Sequence, residues 1–337
     1  MKIDVTRAGF LTSVQGLGRL GFRQFGVSVG GALDSHALRV ANLLVGNDGS
    51  AAGLEITLGG LRLRFVDDRI VAWCGGGFDV RLGSTSVAAG HAALVRAGQE
   101  LMFNQPKVGC RCWLGISGEI DVPIVLGSRS TDLRTNFGGF DGRALRDGDE
   151  IALGRNSKHA QSLVDLLREQ RISPWSPPHD WSSPAQREPI LRVMRGSDWN
   201  RFNDVAIQRF TNEEFSVTAE ADRMGARLDG PELKRADNVP GPAAASSMDL
   251  ISEAVVPGTI QVPPGGKPIV LLGDCQTIGG YPKIAHVITV DLPIAAQLRV
   301  GDRVRFHEVS LTEAHQLLAE RERDLAEFRV GIKLHMR

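Results

Sequence analysis

The chain has 337 residues, enough for two ordinary domains with a core each, and its 42% hydrophobic and 23% charged content is that of a folded globular protein. Lys plus Arg and Asp plus Glu stand at 39 each, so no net field favours nucleic acid or an anionic membrane surface. No run approaches the roughly 18 apolar residues of a membrane helix, and residues 1–21 lack an apolar stretch with a small-residue cleavage site, so a cytoplasmic protein is expected.

Glycine (39) and proline (16) punctuate short segments, the pattern of many short strands joined by tight turns. In chain order, the first predicted helix covers 35–45: Asp34 caps it, Ala37, Ala41 and Leu44 share one face, and Gly46 ends it. Residues 61–65 alternate apolar and charged, Asp67 and Asp68 mark a turn, and 70–73 are apolar, which predicts a hairpin with one wet face. Cys110 and Cys112 sit one residue apart, without the two-residue spacer of a redox or zinc pair, so they and Cys74 and Cys275 read as buried free thiols. Residues 156–188, rich in Ser, Pro and Trp and poor in strand periodicity, read as a linker that Trp175 and Trp181 pin to a domain surface. A second hairpin is predicted at 259–262, turning through Pro263-Pro264-Gly265-Gly266 into 269–272, because prolines cannot donate to a ladder. Ser310 and Glu313 form a capping-box pattern before Ala314, Leu317, Leu318, Leu325 and Phe328. That is a terminal amphipathic helix with Glu320, Arg321, Glu322 and Arg323 on its solvated side. One phrase, a glycine turn feeding an alternating strand, occurs at 96–103, 146–153 and 299–306, which fits two related β-domains in tandem.

No Gly-x-x-x-x-Gly-Lys-Ser/Thr loop, His-Glu-x-x-His pair or Gly-x-Ser-x-Gly elbow in a suitable context is found, and the eight histidines lack metal-ligand spacing. ATP-coupled chemistry would therefore draw its ATP from a different polypeptide, and no metal is expected. What remains is a set of dense polar-glycine phrases. Gly127-Ser128-Arg129-Ser130-Thr131 offers amides, hydroxyls and a guanidinium fit to hold a carboxylate; alternatively the hydroxyls close their own loop and Arg129 pairs with an acid. Asp222 and Arg223, in Asp222-Arg223-Met224-Gly225, are either ligand contacts or an intramolecular pair. After the apolar run 269–272, the loop from Gly273 releases Gln276, Thr277, Tyr281 and Lys283. Amide, hydroxyl, phenol and ammonium together suit a planar amide or carboxylated cofactor, although Gly279-Gly280 is also what a plain tight turn needs.

These phrases carry a family resemblance. Val14 to Arg19, Gly30-Gly31-Ala32-Leu33-Asp34, Ala41-Asn42-Leu43-Leu44-Val45-Gly46-Asn47 and Leu54-Glu55-Ile56-Thr57 resemble the opening of the biotin-dependent carboxyltransferase half-subunits, a family that includes the C-type component of 5-oxoprolinase and KipA. Phrases at 122–131, 222–231, 258–263 and 276–284 follow in the family's order, so the resemblance spans about residues 2–309. Gly16, Glu119 and Arg195-Gly196-Ser197-Asp198 depart from it, at positions where the family usually has aspartate, glycine and a Gly-Pro phrase.

The resemblance implies a mainly β protein of two cyclophilin-like β-barrels with a few short helices and a C-terminal helix. Its divisions would be a first barrel at 1–155, the linker at 156–188, a second barrel at 189–310 and a helical tail at 311–337. It implies one component of an ATP-dependent 5-oxoprolinase complex, inactive alone. The partners would be a smaller carboxyltransferase-type protein (the B-type component of 5-oxoprolinase, or KipI type) and a lactamase-type protein (the A-type component), with a small amide or lactam as substrate. The alternatives are a component of a biotin-dependent urea or amide carboxylase, with biotin supplied in trans, and a KipA-like protein that captures a kinase inhibitor. Arg129, Ser130, Thr131, Gln276, Thr277, Tyr281 and Lys283 are the expected substrate contacts, with Asp34, Asn42, Asp222 and Arg223 as further candidates.

Overall fold

Strands dominate the computed structural model, which describes residues 1–236 and 250–335. The chain divides into two units, one of residues 1–20, 30–185 and 322 onward, the other of residues 21–29 and 186–321. Positions 237–249, inside the expected second domain, and the last two positions of the expected tail lie outside the described residues.

The first unit contains β1 (Lys2–Ala8), β2 (Leu11–Gln15), α1 (Ser35–Leu44), β3 (Gly53–Thr57), β4 (Leu61–Phe65), β5 (Arg69–Gly75) and β6 (Phe78–Leu82). It continues with β7 (Thr85–Ser86), β8 (Ala93–Val95), β9 (Glu100–Pro106), β10 (Arg111–Ile116), β11 (Glu150–Ala152), α2 (Lys158–Gln170) and α3 (His179–Ser182). A six-stranded sheet runs β11-β1-β4-β9-β6-β7 and a five-stranded one β2-β3-β10-β5-β8. One hydrophobic cluster draws on both: Ile3, Leu63, Phe65 and Phe103 from the first, Ile56, Val71, Trp73 and Leu114 from the second.

The hairpin predicted at 61–73 does not form. β4 pairs β1 and β9, whereas β5 pairs β10 and β8, so the turn at 67–68 crosses from one sheet to the other. The cause is visible in the side chains. β4 keeps the alternation of a half-wet strand, but every residue of β5 is buried, and a strand covered on both faces belongs at a sheet centre. Arg69, fully buried at its start, pairs with Asp67 at 2.8 Å and donates to the carbonyls of Ser117 and Gly154.

Helix α1 forms as predicted, its first turn capped by Asp34, whose Oδ1 accepts from the Ala37 amide at 2.7 Å. It lies so close to β10 that a Cβ on Gly115 would stand 2.9 Å from the Ala41 carbonyl carbon, which is why glycine is needed there. The segment expected as a linker, 156–188, holds α2, which buries Ala160, Leu163, Val164 and Leu167 and groups with the first unit. Trp181 is pinned as expected, edge-on to His36 and to Phe328 at 5.0 and 5.7 Å between ring centroids.

The second unit has β12 (Ile190–Arg195), α4 (Asp204–Asn212), β13 (Phe215–Val217), β14 (Gly225–Asp229), β15 (Glu253–Ala254), β16 (Thr259–Gln261), β17 (Ile269–Leu271), β18 (Ile278–Gly279), β19 (Lys283–Val287), α5 (Leu292–Ala295) and β20 (Arg303–Glu308). Seven of these strands close into a barrel in the order β12-β19-β16-β17-β14-β13-β20, while β15 and β18 form a separate two-stranded ribbon. The hairpin predicted at 259–272 is present as β16 and β17, with Ile260 opposite Val270. Phe210 of α4 stacks on Phe306 at 4.6 Å in the barrel core.

Helix α6 (Leu311–His335) closes the chain, and the Ser310 hydroxyl accepts from the Glu313 amide. Residues 311–321 group with the second unit, where Ala314, Leu317 and Leu318 pack on Ile288 and Val290; the remainder groups with the first, where Leu325 and Ile332 are buried. The charged face is solvated as expected, with Glu320, Glu322 and Arg323 exposed, and two of its residues also find partners: Arg321 donates to the Val290 carbonyl at 2.6 Å, and Glu322 forms a two-pronged pair with Arg39 at 2.5 and 2.8 Å. The repeated phrase is one turn built three times. In each copy a positive-φ glycine (Gly98, Gly148, Gly301) sits inside a loop whose following side chain, Gln99, Asp149 or Asp302, accepts from the amide of the leading arginine.

Candidate functional site

The first two polar-glycine phrases fold against each other inside the first unit. The Ser130 hydroxyl accepts from the Gly16 amide at 2.9 Å, Thr131 bonds the Val14 carbonyl through both its amide and its hydroxyl, and Gln15 donates to the Thr131 carbonyl. Buried Arg19 donates to the Ser130 carbonyl and lies over the Phe137 ring at 4.4 Å. Ser130 and Thr131 are fully buried, and Arg129 donates to the Val122 carbonyl rather than pairing with an acid. Asn42 bonds the Ala51 carbonyl, and Asp34 is the helix cap already described. These five expected contacts are thus occupied in holding loops, and the hydroxyls close their own fold.

The second unit gathers a different group. A cleft of about 470 Å³ lies on the barrel beside the β15–β18 ribbon, lined by Asp222, Arg227, Gln261, Gln276 and Tyr281 over an apolar floor that includes Met224, Ile269 and Leu271. Three sequence-predicted residues, Asp222, Gln276 and Tyr281, meet here. Gln261 was not among them: it is 1% exposed, on β16, and its Nε2 donates to the Tyr281 carbonyl at 3.2 Å while its Oε1 accepts from Gln276 Nε2 at 3.4 Å. The two amides therefore form a chained pair at the cleft wall, with the Tyr281 ring partly open to solvent. The only sequence signal for Gln261 was a polar side chain between Ile260 and Val262, a buried amide that must find partners. Asp222 turns the chain, accepting from the Met224 and Gly225 amides, and Arg227 pairs with Glu220 at 3.3 Å on the open rim.

Arg223, Thr277 and Lys283 have other places. Arg223 is buried in a two-pronged pair with Asp274, at 2.7 and 2.9 Å, so its partner is Asp274 and not the adjacent Asp222. The Thr277 carbonyl accepts from the Val255 amide, where β15 and β18 pair. Lys283, expected in a loop, begins β19 and is 5% exposed, its ammonium held by Asp198 at 3.1 Å and Glu253 at 2.8 Å. Burial alone would lower its pKa, but hydrogen bonds to Glu253 and Asp198 outweigh that and raise it. Against the same burial penalty, the Lys283 amide and ammonium hold the Asp198 carboxyl below its usual range. Next along β19, His286 is pushed down by burial and by the Lys283 charge.

The four cysteines are free and buried, as expected; burial raises Cys74 and Cys112 well above the ordinary thiol range and pushes Cys275 up to about 11. Cys74, Cys112 and Cys275 are therefore not ready nucleophiles. Among the described residues no cluster of His, Cys, Asp and Glu is arranged to hold a metal, and no helix is long and apolar enough to cross a membrane.

Residues 25–308 match the family model described as carboxyltransferase domain, subdomain A and B. The chain belongs to this carboxyltransferase family. It is 40% identical over 324 residues to the C-type component of the Escherichia coli K12 5-oxoprolinase, an alignment covering 95% of this chain and 96% of that one. The component of the same name from Haemophilus influenzae is 34% identical, covering 95% of each. Among solved structures, the Kluyveromyces lactis urea carboxylase superposes with a TM-score of 0.86 at 30% identity over 97% of this chain, which spans 29% of that enzyme. Family membership thus agrees with the β architecture, the seven-stranded barrel and the terminal helix.

Proposed function

We propose that this chain is the C-type component of an ATP-dependent 5-oxoprolinase that opens 5-oxoproline to glutamate, working with a smaller carboxyltransferase-type protein (B-type) and a lactamase-type protein (A-type). The observation that carries the reading is the end-to-end match to two proteins of that name, covering 96% and 95% of their lengths, beside 17% of a yeast urea amidolyase at 30% identity. The cleft suits the substrate. A five-membered lactam presents a planar C=O and N–H edge, which the Gln261 and Gln276 amides can meet with a donor and an acceptor. Tyr281 adds a phenol beside them, and Arg227 stands at the rim where a substrate carboxylate would lie.

An unstrained ring amide resists water, so its opening needs activation, and ATP bound on a companion protein supplies it. The residues of this chain bind and orient the ring; hydrolysis then places the oxygen of water on the acyl carbon and a proton on the ring nitrogen. Mixing the purified chain with its companions should give ATP- and 5-oxoproline-dependent glutamate, and leaving this chain out should abolish it. Full turnover without it, or robust turnover by this chain alone, would overturn the reading.

The likeness to urea carboxylase favours a second reading, carboxyl transfer to urea or a related amide. A biotin carried in trans presents the same planar C=O and N–H edge to the cleft amides. Loss of activity on adding avidin, with incorporation of labelled bicarbonate, would select it.

A further inference from the structure

The loop that carries Gln276 and Tyr281 is bounded at both ends by buried charge. At its start, Asp274 takes two bonds from the Arg223 guanidinium, and its amide donates to the Arg223 carbonyl at 3.1 Å, so side chains and backbones are locked together. At its end, the Lys283 ammonium reaches Asp198 and Glu253, the Lys283 amide donates to Asp198 Oδ2 at 3.0 Å, and the Lys283 carbonyl accepts from the Asp198 amide at 3.1 Å. Glu253 belongs to β15, whose partner β18 is the middle of the same loop, so one ammonium ties barrel strand and ribbon together. Residue 196 must be glycine here, because a Cβ would run into the Lys283 carbonyl.

We infer that Arg223 and Lys283 are positioning residues, which pin residues 274 and 283 so that the amides of Gln276 and Gln261 and the phenol of Tyr281 hold fixed places in the cleft. Buried ion pairs are poor stabilisers. Desolvation offsets most of their attraction, and apolar side chains of similar volume often do as well or better. What they supply is direction: a two-pronged guanidinium–carboxylate pair fixes distance and plane together, which apolar packing does not. A guanidinium fork at one end of a ten-residue loop, numbered 274 to 283, and an ammonium shared by two carboxylates at the other suit a loop whose geometry must be set before a ligand arrives. Asp222, next to Arg223 in the chain, lines the same cleft.

This inference rests on the cleft being the ligand site, and the test separates the two ideas. Tyr281 is the single tyrosine of the chain, so protein labelled with 3-fluorotyrosine gives one 19F resonance that reports the loop without any activity. In the double variant Arg223→Met with Asp274→Leu, the melting temperature should stay within a few degrees of wild type. The Tyr281 resonance should shift or broaden, and kcat/KM of the reconstituted complex should fall at least tenfold. Lys283→Met should also shift or broaden the resonance, with a larger fall in melting temperature because the buried Asp198 loses its ammonium partner, and Lys283→Arg should partly restore both. An unmoved resonance in the folded double variant would overturn the inference. A moved resonance with unchanged turnover would uphold positioning and instead sink the reading of the cleft as the reactive site. Should the double variant not fold, Arg223→Lys keeps the charge without the fork, and its resonance decides in the same way.

Discussion

The sharpest test of the cleft wall is a single methyl group. A Cβ on Gly279 would stand 2.6 Å from Gln261 Nε2, against an ordinary contact of 3.4 Å or more, so in Gly279→Ala the buried amide must retreat by about 0.8 Å. Gly279 is not at a left-handed φ, so alanine there brings no backbone strain, and the whole effect comes from the displaced amide. Retreat stretches the bond to the Tyr281 carbonyl, 3.2 Å in the wild type, and the 3.4 Å link to Gln276. At about 0.5–1.5 kcal/mol net for each hydrogen bond, the longer of the two contributing less, the expected destabilisation is about 1–2 kcal/mol. That corresponds to a fall in melting temperature of about 2–8 °C for a unit of this size. The loss of activity should be larger than stability alone explains, tenfold to a hundredfold in kcat/KM, because a recognition group moved by most of an ångström no longer meets the substrate edge. Differential scanning fluorimetry and the reconstituted glutamate assay measure both. Gly265→Ala, on the turn joining β16 and β17 with nothing within 4 Å, is the control and should leave both unchanged. If Gly279→Ala matched that control in both assays, the chained amides would not be the wall of a working site.

Other consequences are independent of the ligand. His286 has its pKa lowered by burial and by Lys283, so below about pH 6.5 the unfolded chain binds the extra proton first and stability falls with pH. His286→Gln should therefore flatten the dependence of melting temperature on pH between about 7 and 5, and an unaltered slope would remove His286 as its source. In the turn at 125–128, Val125 and Ser128 exchange backbone bonds of 2.8 and 3.1 Å around Leu126 at φ +50° and Gly127 at φ +72°. Leu126→Asn supplies the residue such a turn prefers and should raise stability by about 0.5–1 kcal/mol, read as a higher melting temperature; no rise would mean that the leucine side chain contributes packing of its own.

Local signals were the legible part of this chain. The cap on α1, the β16–β17 hairpin and the thrice-repeated glycine turn depend on residues within a few positions of one another, and each appears where its sequence pattern puts it. The failures are all tertiary. β4 and β5 look like two halves of a hairpin, and only the cover over β5 sends them to different sheets. Residues 156–188 carry linker composition, yet Ala160, Leu163, Val164 and Leu167 make one apolar face once α2 has something to pack on. Arg321 and Glu322 stay on the solvated side where the sequence puts them, but their partners, Val290 and Arg39, meet them only in the folded chain.

The site shows the same division in a form that matters for function. Polar residues dense in glycine mark two physically different things, and composition cannot tell them apart. Around Ser130 the hydroxyls and amides are consumed by neighbouring loops, because a segment packed that tightly must satisfy its own polar groups. Around Tyr281 the backbone is satisfied by the β15–β18 ribbon and by Gln261, which leaves the side chains of Gln276 and Tyr281 facing a cleft. What separates the two cases is where the charges go. Asp274 and Lys283 read as two more polar residues of a flexible loop, but their partners, Arg223, Asp198 and Glu253, lie 51, 85 and 30 positions away. Pairs at that separation, buried at Arg223–Asp274 and Lys283–Asp198, are what distinguishes this glycine-rich loop from the segment around Ser130, and on the positioning inferred above they hold it as one edge of the cleft.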